Sequence, residues 1–480
     1  MTRITAVILL SVLLISTAFP QKQSLSKFLS DSAMTNGSVS FALRDAENGE
    51  LIFDNSSAKS LGQASVMKLI TTAASLELLG PDHIFTTTVG YTGTIKRRSG
   101  TLEGNIVIKG GGDPSLGSER FPDCYEKFME KWVTEIVKLG IKKIKGRVIA
   151  DDSYFDFNPV PPKWNWQDIG NYYGAGVYGI SLFDNTLKIH FQTGQEGTKP
   201  VMGKIEPTGA EISYINDLTS AGSTDEGYVF SSPYSKSGWI SGTIPVSDSD
   251  FVLKASIPDP PQMTAALLDG MIKKAGISVE SEPTTVRKLG KAIRDSIKII
   301  TSTISPKLSE LIDVLNHESV NLYAEHLLKE LGKVYKGEGS VSGGREVVTG
   351  FLDSLGINTT GMFIEDGSGL STQDAINSAG LSELLYKMKK NGKYFDVYLN
   401  SLPEAGQSGT LKSHFKDPVF SSSMRAKSGS MLRIRSYAGY LTAKSGRNLI
   451  FSIIVNNYSG PPSAVITNIE EILKETILNN

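Results

Sequence analysis

Residues 63–81 read Gln63-Ala64-Ser65-Val66-Met67-Lys68-Leu69-Ile70-Thr71-Thr72-Ala73-Ala74-Ser75-Leu76-Glu77-Leu78-Leu79-Gly80-Pro81. The segment is apolar around most of a helix and ends in Gly-Pro, a stop signal, so the pattern predicts a buried helix. Ser65 and Lys68 stand three positions apart, on one face of that helix. Ser65 falls in the first turn, where the helix dipole favours a developing negative charge. Lys68, flanked by Val66, Met67, Leu69 and Ile70, loses hydration, and desolvation lowers the pKa of an amine toward neutrality. A neutral amine beside a hydroxyl activates a nucleophile as histidine does in a serine triad. The same spacing recurs at Ser24–Lys27, Ser56–Lys59 and Ser413–Lys416, in polar or amphipathic surroundings that suit a solvated lysine. Spacing alone therefore leaves a structural pair and a catalytic pair both open at Ser65.

Upstream of this helix, Val39, Phe41 and Leu43 alternate with smaller or polar residues. Asn48-Gly49 supplies a tight turn, and Leu51 and Phe53 resume the alternation, the pattern of an antiparallel hairpin. Helical periodicity returns from Ser305 to Leu328, interrupted near His317–Val320, and again over Gly343–Leu355 and Ser382–Lys390. The chain closes with two strands, Tyr437–Thr442 and Leu449–Asn456, and an amphipathic helix carrying Val465, Ile469, Ile472, Leu473 and Ile477. Between about Phe85 and Glu282 the character differs. Short β-type runs and Gly-rich turns dominate, with helices at Tyr125–Leu139 and Gln262–Ala275 and proline clusters at 159–162 and 258–261.

These patterns predict an α+β protein in which both chain ends build one antiparallel sheet flanked by helices, interrupted by a large insert. The expected organisation is a signal peptide at 1–20, a catalytic domain from 21–84 and 286–480, an inserted α/β domain from 85–185 and 255–285, and a nested β-rich domain at 186–254. The signal reading rests on Arg3, the apolar run Ala6–Ile15 and the small residues Ser16-Thr17-Ala18. It implies an exported, extracytoplasmic protein with no membrane span after cleavage.

Two further constellations carry chemistry. Ser319-Val320-Asn321 lies at the interruption between helical runs, where alternate residues of an extended connection would point a hydroxyl and a carboxamide into one cleft. The competing reading makes Ser319 the N-cap of the next helix. Lys427-Ser428-Gly429-Ser430 joins a cation and two hydroxyls, suited to a carboxylate, to a glycine that allows close backbone approach. Lys-Ser-Gly also occurs at Lys236 and Lys444, both read as exposed turns.

Composition narrows the classes. With 49 basic and 50 acidic side chains in 480 residues, nucleic acid and anionic membranes are poor partners. The single cysteine, Cys124, excludes an internal disulfide framework; it reads most simply as a buried apolar residue, with a reactive thiol left open. The five histidines show no metal-ligand spacing, so neither metal nor cofactor is expected.

Taken in order, Ser-x-x-Lys, Ser-x-Asn and Lys-(Ser/Thr)-Gly resemble the penicillin-recognising serine acyltransferases. The interval of about 250 residues between Lys68 and Ser319 is similar to that of the D-Ala-D-Ala carboxypeptidase/endopeptidase family, the S13 peptidases of penicillin-binding protein 4 type. Stretches similar to that family run the length of the chain: Gly110–Leu116, Trp164–Asp168 with Tyr173-Gly174-Ala175, Ser319–Glu325, Asp366–Ser371, Leu402–Gly406 with Gly409-Thr410-Leu411, and Phe451-Ser452 with Asn456. Three positions depart from it. Ser428 replaces the commoner threonine, Thr372-Gln373-Asp374 stands where an arginine and an asparagine are frequent, and His414 stands near a usual basic residue.

The resemblance implies a penicillin-binding-protein/β-lactamase-like transpeptidase fold and a serine DD-peptidase acting on peptidoglycan stem peptides. In it Ser65 is the nucleophile, Lys68 the general base and Ser319 the proton relay. Asn321, Lys427, Ser428, Gly429 and Ser430 bind substrate, and β-lactams act as covalent inhibitors. A β-lactamase or esterase, and a non-catalytic cell-wall binding protein, are the alternatives.

Overall fold

The computed structural model describes residues 21–247, 250–293 and 295–480. The expected signal segment, 1–20, lies outside them. Strand alternation does bring the two chain ends together. A five-stranded antiparallel sheet runs in the order Leu51–Asn55, Ser38–Asp45, Asn448–Asn456, Ile434–Thr442, Met424–Met431. Successive side chains leave a strand on opposite faces. Phe41, Leu43, Phe451, Ile453 and Val455 accordingly pack under the terminal helices Gln21–Leu29 and Pro462–Asn479. Ala438, Tyr440, Ile450 and Ile454 enter the opposite core, with helices Lys68–Leu79, Leu308–Glu318, Asn321–Lys336 and Ser378–Asn391.

A third C-terminal strand, Met424–Met431, joins the expected closing pair and carries Lys427-Ser428-Gly429-Ser430. Its sequence, Met-Arg-Ala-Lys-Ser-Gly-Ser-Met, is poor in β-branched residues. Its pairing with Ile434–Thr442 supplies what local propensity does not.

The insert departs from Phe85 after the helix stop. Its larger sheet orders Thr284–Thr285, Val148–Asp151, Ile106–Lys109, Thr86–Tyr91 and Lys298–Ile304. The last strand falls beyond the boundary expected at 285/286; pairing with Thr86–Tyr91 draws it into the insert's sheet. Two three-stranded sheets lie between Thr186 and Ser256. Their inward residues, Ile189, Leu218, Val229 and Ile240, share one apolar core with Val89 and Trp132 of the α/β part.

Three local expectations shift. The helix expected over Tyr125–Leu139 breaks into Pro122–Tyr125 and Phe128–Lys138 at Lys127, whose φ is 51°. Tyr125 is drawn inward, its hydroxyl donating to Asp113 Oδ2 at 2.8 Å. The helix expected from Gln262 starts at Pro260, because proline fits the first helical positions and the Asp259 carboxylate caps the Gln262 N–H. Cys124, expected to be buried, is exposed. Among the described residues no helix is long and apolar enough to cross a membrane.

Candidate active site

Ser65 lies not in an α-helical first turn but in the 3₁₀ turn Ala64–Met67 that precedes the helix Lys68–Leu79. Ala64 takes φ 50° to enter the turn. Lys68 is fully buried, and its Nζ lies 3.0 Å from Ser65 Oγ, 2.6 Å from Asn321 Oδ1 and 2.8 Å from the Ser368 carbonyl. A neutral amine has two N–H bonds and one lone pair. Donation to Asn321 and Ser368, the two shorter contacts, leaves the lone pair for the Ser65 hydroxyl. Burial brings the Lys68 pKa down to about 7 against the upward pull of Asp366 and Glu325. The lysines of the other Ser-x-x-Lys copies, Lys27, Lys59 and Lys416, are exposed.

The Ser-x-Asn pair reaches the same place by a different backbone from either one expected. Ser319 ends the helix Leu308–Glu318 in the left-handed region, at φ 60° and ψ 42°. Val320, not Ser319, occupies the N-cap position of Asn321–Lys336, and no side chain caps that helix. Left-handed geometry is unfavourable for a residue with a Cβ, so its presence at a cleft hydroxyl marks a constrained site. Asn321 is held at both ends, because its Nδ2 donates to the Tyr173 carbonyl at 2.8 Å while its Oδ1 receives Lys68.

From the edge strand, Lys427 Nζ donates to Ser319 Oγ and to the Ser428 carbonyl, each at 2.9 Å. Lys427 is also fully buried, and burial with Lys68 nearby holds its pKa well below the ordinary lysine value. Ser428 Oγ donates to Thr410 Oγ1 at 2.7 Å. Gly429 is a position where only glycine fits. A Cβ there would stand 2.2 Å from Ser436 Oγ, 2.6 Å from the Gln63 carbonyl and 3.0 Å from the Ser65 nitrogen. The strand thus runs against the backbone of the turn that carries Ser65. Ser65, Ser319, Thr410, Ser428, Ser430 and Arg435 line one open cleft of about 290 Å³, with His414 at the same opening.

Several contributors carried no assigned role in the sequence reading. Arg435 brings a guanidinium to the cleft from the strand Ile434–Thr442. Beneath Lys68, the loop 366–371 is tied down by carboxylates. Glu325 accepts from the Gly367 and Ser368 N–H groups, and Asp366 accepts from Ser368, Gly369, Ser371 and the Trp164 indole. This fixes the Ser368 carbonyl that accepts a hydrogen bond from Lys68. Burial and Asp366 push the Glu325 carboxyl above the usual carboxylate range. One signal pointed to Glu325: it follows Asn321 by four residues, one turn on the same face, within a run of apolar neighbours.

The arrangement is a buried amine poised on a half-buried hydroxyl, a second amine on a second hydroxyl, and a cation-bearing, hydroxyl-lined cleft between them. The family model described as D-Ala-D-Ala carboxypeptidase 3 (S13) matches residues 21–475. The chain is 26% identical over 462 residues to the D-alanyl-D-alanine carboxypeptidase of Actinomadura sp. (strain R39), covering 92% of this chain and 82% of that one. It is 22% identical over 427 residues to the D-alanyl-D-alanine carboxypeptidase DacB of Haemophilus influenzae, covering 88% and 86%. The crystal structure of penicillin binding protein 4 (dacB) from Haemophilus influenzae superposes with a TM-score of 0.79 at 20% identity, over 95% of this chain and 96% of that one. A second structure of that protein, complexed with a β-lactam, gives 0.75 at 20% identity, over 92% and 97%.

Proposed function

The chain belongs to the D-Ala-D-Ala carboxypeptidase 3 (S13) family, and from that premise we propose the following reaction. It is a serine DD-peptidase that cleaves peptidoglycan stem peptides after the penultimate D-alanine and is acylated by β-lactams. The observation that carries the reading is the 3.0 Å approach of a fully buried Lys68 amine to Ser65 Oγ at the floor of a hydroxyl-lined cleft.

Ser65 Oγ attacks the carbonyl carbon of the penultimate D-alanine, and its proton passes to Lys68 Nζ. The oxyanion is received by the N–H groups of Ser65 and Ser430, each donor worth about 3 kcal/mol in such a site. Close approach of the strand at Gly429 to the Ser65 nitrogen supports that pairing. The C–N bond then breaks, and Ser319, held by Lys427, gives its proton to the departing amine and takes up the one that Lys68 removed from Ser65, so that both residues end neutral. Water cleaves the resulting ester and returns Ser65. Asn321 orients the base through Oδ1 and has one Nδ2 hydrogen left for a substrate carbonyl. Ser428, Ser430 and Thr410, with the charge of Arg435, receive the terminal carboxylate.

Extracytoplasmic placement follows from the substrate and from the apolar N-terminal run. The domain reading is proposed with it: a catalytic body built from both chain ends, and an insert flanking the cleft. Release of free D-alanine from a soluble stem pentapeptide tests the activity. A folded protein that neither releases D-alanine from that substrate nor separates cross-linked stem peptides would refute it.

A further inference from the structure

The sheet of strands Ser213–Ser220, Ser237–Ile244 and Glu226–Phe230 buries one face, through Leu218, Ile240 and Val229, in the core of the insert. Its other face is open, and its register sorts the side chains into rows. Ile215, Trp239 and Phe230 lie side by side across the strands, and Asp217, Ser241 and Tyr228 form the adjacent row. The first row is apolar yet exposed: Ile215 is 68% and Trp239 37% accessible. Phe230 stacks on Trp239 at 4.8 Å and 25°. Trp166, 60% accessible, extends the row with its ring 4.9 Å from that of Phe230. At a strand spacing of about 4.8 Å the row spans roughly 14 Å. Indole rings so exposed, in a continuous row with polar groups alongside, mark a recognition surface rather than chance exposure. The Trp239 indole is held in place by donating to Asp217 Oδ2 at 3.0 Å.

The surface is joined to the catalytic cleft by a single segment. Trp166 and Asp168 share the short helix Trp166–Ile169, and Asp168 accepts from the Tyr173 hydroxyl at 3.2 Å. The Tyr173 phenol feels that of Tyr228 in the sheet, and its own carbonyl is the group held by Asn321. No strand residue of this face is a lysine or arginine, and the one lysine that reaches it, Lys199, lies against Asp217. Of its two carboxylates, Asp217 already faces Lys199 at 3.6 Å, which leaves Glu226 at the far row. An uncharged polymer with apolar ring faces and hydroxyl or amide edges matches this pattern better than a charged peptide.

We propose that this face is a second substrate-binding site, which holds the N-acetylated sugar chain of peptidoglycan while a stem peptide occupies the cleft. Sugar rings lie with their C–H faces on Trp239 and Trp166, and their hydroxyl and acetamido groups meet Asp217, Ser241 and Tyr228. The inference rests on the peptidase reading for the identity of the polymer.

The test is calorimetric titration of the purified protein with an uncharged glycan, an oligomer of N-acetylglucosamine, and, in parallel, with a stem pentapeptide lacking sugar. Glycan is expected to bind the parent protein and to bind Trp239→Ala at least tenfold more weakly. Asp217→Asn, a milder change, should weaken it several-fold. Both variants should release D-alanine from soluble pentapeptide at the parent rate but more slowly from intact sacculi. Absence of glycan binding, unchanged binding by Trp239→Ala, or equal weakening of sugar-free pentapeptide turnover would overturn the proposal. Failure of the parent protein to cleave both soluble pentapeptide and cross-linked stem peptides would instead strike the peptidase reading, which the glycan titration does not probe.

Discussion

Lys68 Nζ lies 3.0 Å from Ser65 Oγ while its other contacts, Asn321 Oδ1 and the Ser368 carbonyl, can each take an N–H. The geometry therefore fits a neutral amine accepting from serine, and burial brings the lysine into the range where that form is populated at physiological pH.

A pH dependence follows. Only the deprotonated amine can take the Ser65 proton, so acylation should fall as pH drops through about 7, tenfold per pH unit below it. Asp366→Asn removes the larger of the two upward pulls on the Lys68 amine, and so should move the midpoint downward. Stopped-flow acylation by a chromogenic β-lactam across pH 5–9 reads both. A flat profile in the parent protein, or a midpoint raised by Asp366→Asn, would contradict the electrostatics.

Ser319 allows chemistry and folding to be separated. Ser319→Gly removes the hydroxyl held by Lys427 but relieves a residue at φ 60°. Turnover should fall by roughly 10²–10⁴, the range for a lost proton-transfer group, while the melting temperature holds or rises because glycine accepts left-handed geometry. Steady-state kinetics beside calorimetry gives the answer, and a rate within twofold of the parent would remove Ser319 from the proton path.

Gly429 is expected to be intolerant of alanine. The added methyl would meet two oxygen atoms and the Ser65 nitrogen, so the edge strand or the Ser65 turn must shift. Loss of an oxyanion donor alone costs about 3 kcal/mol, or ~10²-fold in rate. Gly429→Ala should thus lose β-lactam labelling by at least that factor while remaining folded by circular dichroism. Normal labelling would show that the close approach is not needed.

What was legible in the sequence depends on range. Ser65 and Lys68 are neighbours on a short segment whose apolar flanks already foretell a desolvated amine. The union of the chain ends could be read because Phe41, Leu43, Phe451 and Ile453 sit at strand periodicity. The left-handed turn at Ser319 could not, since tertiary packing imposes it on an ordinary residue. The edge strand bearing Lys427 lacks β-forming residues and owes its state to its neighbour. The carboxylates beneath Lys68 come from distant segments, and only folding shows that Glu325 and Asp366 converge on the Ser368 loop. Arg435 entered the cleft with no local sign at all.

The most direct test of the central claim is intact-protein mass spectrometry after incubation with benzylpenicillin, followed by peptide mapping. The account predicts one adduct of the mass of the opened drug, carried by Ser65 and absent from Ser65→Ala. An adduct on another residue, or one that persists in Ser65→Ala, would contradict it.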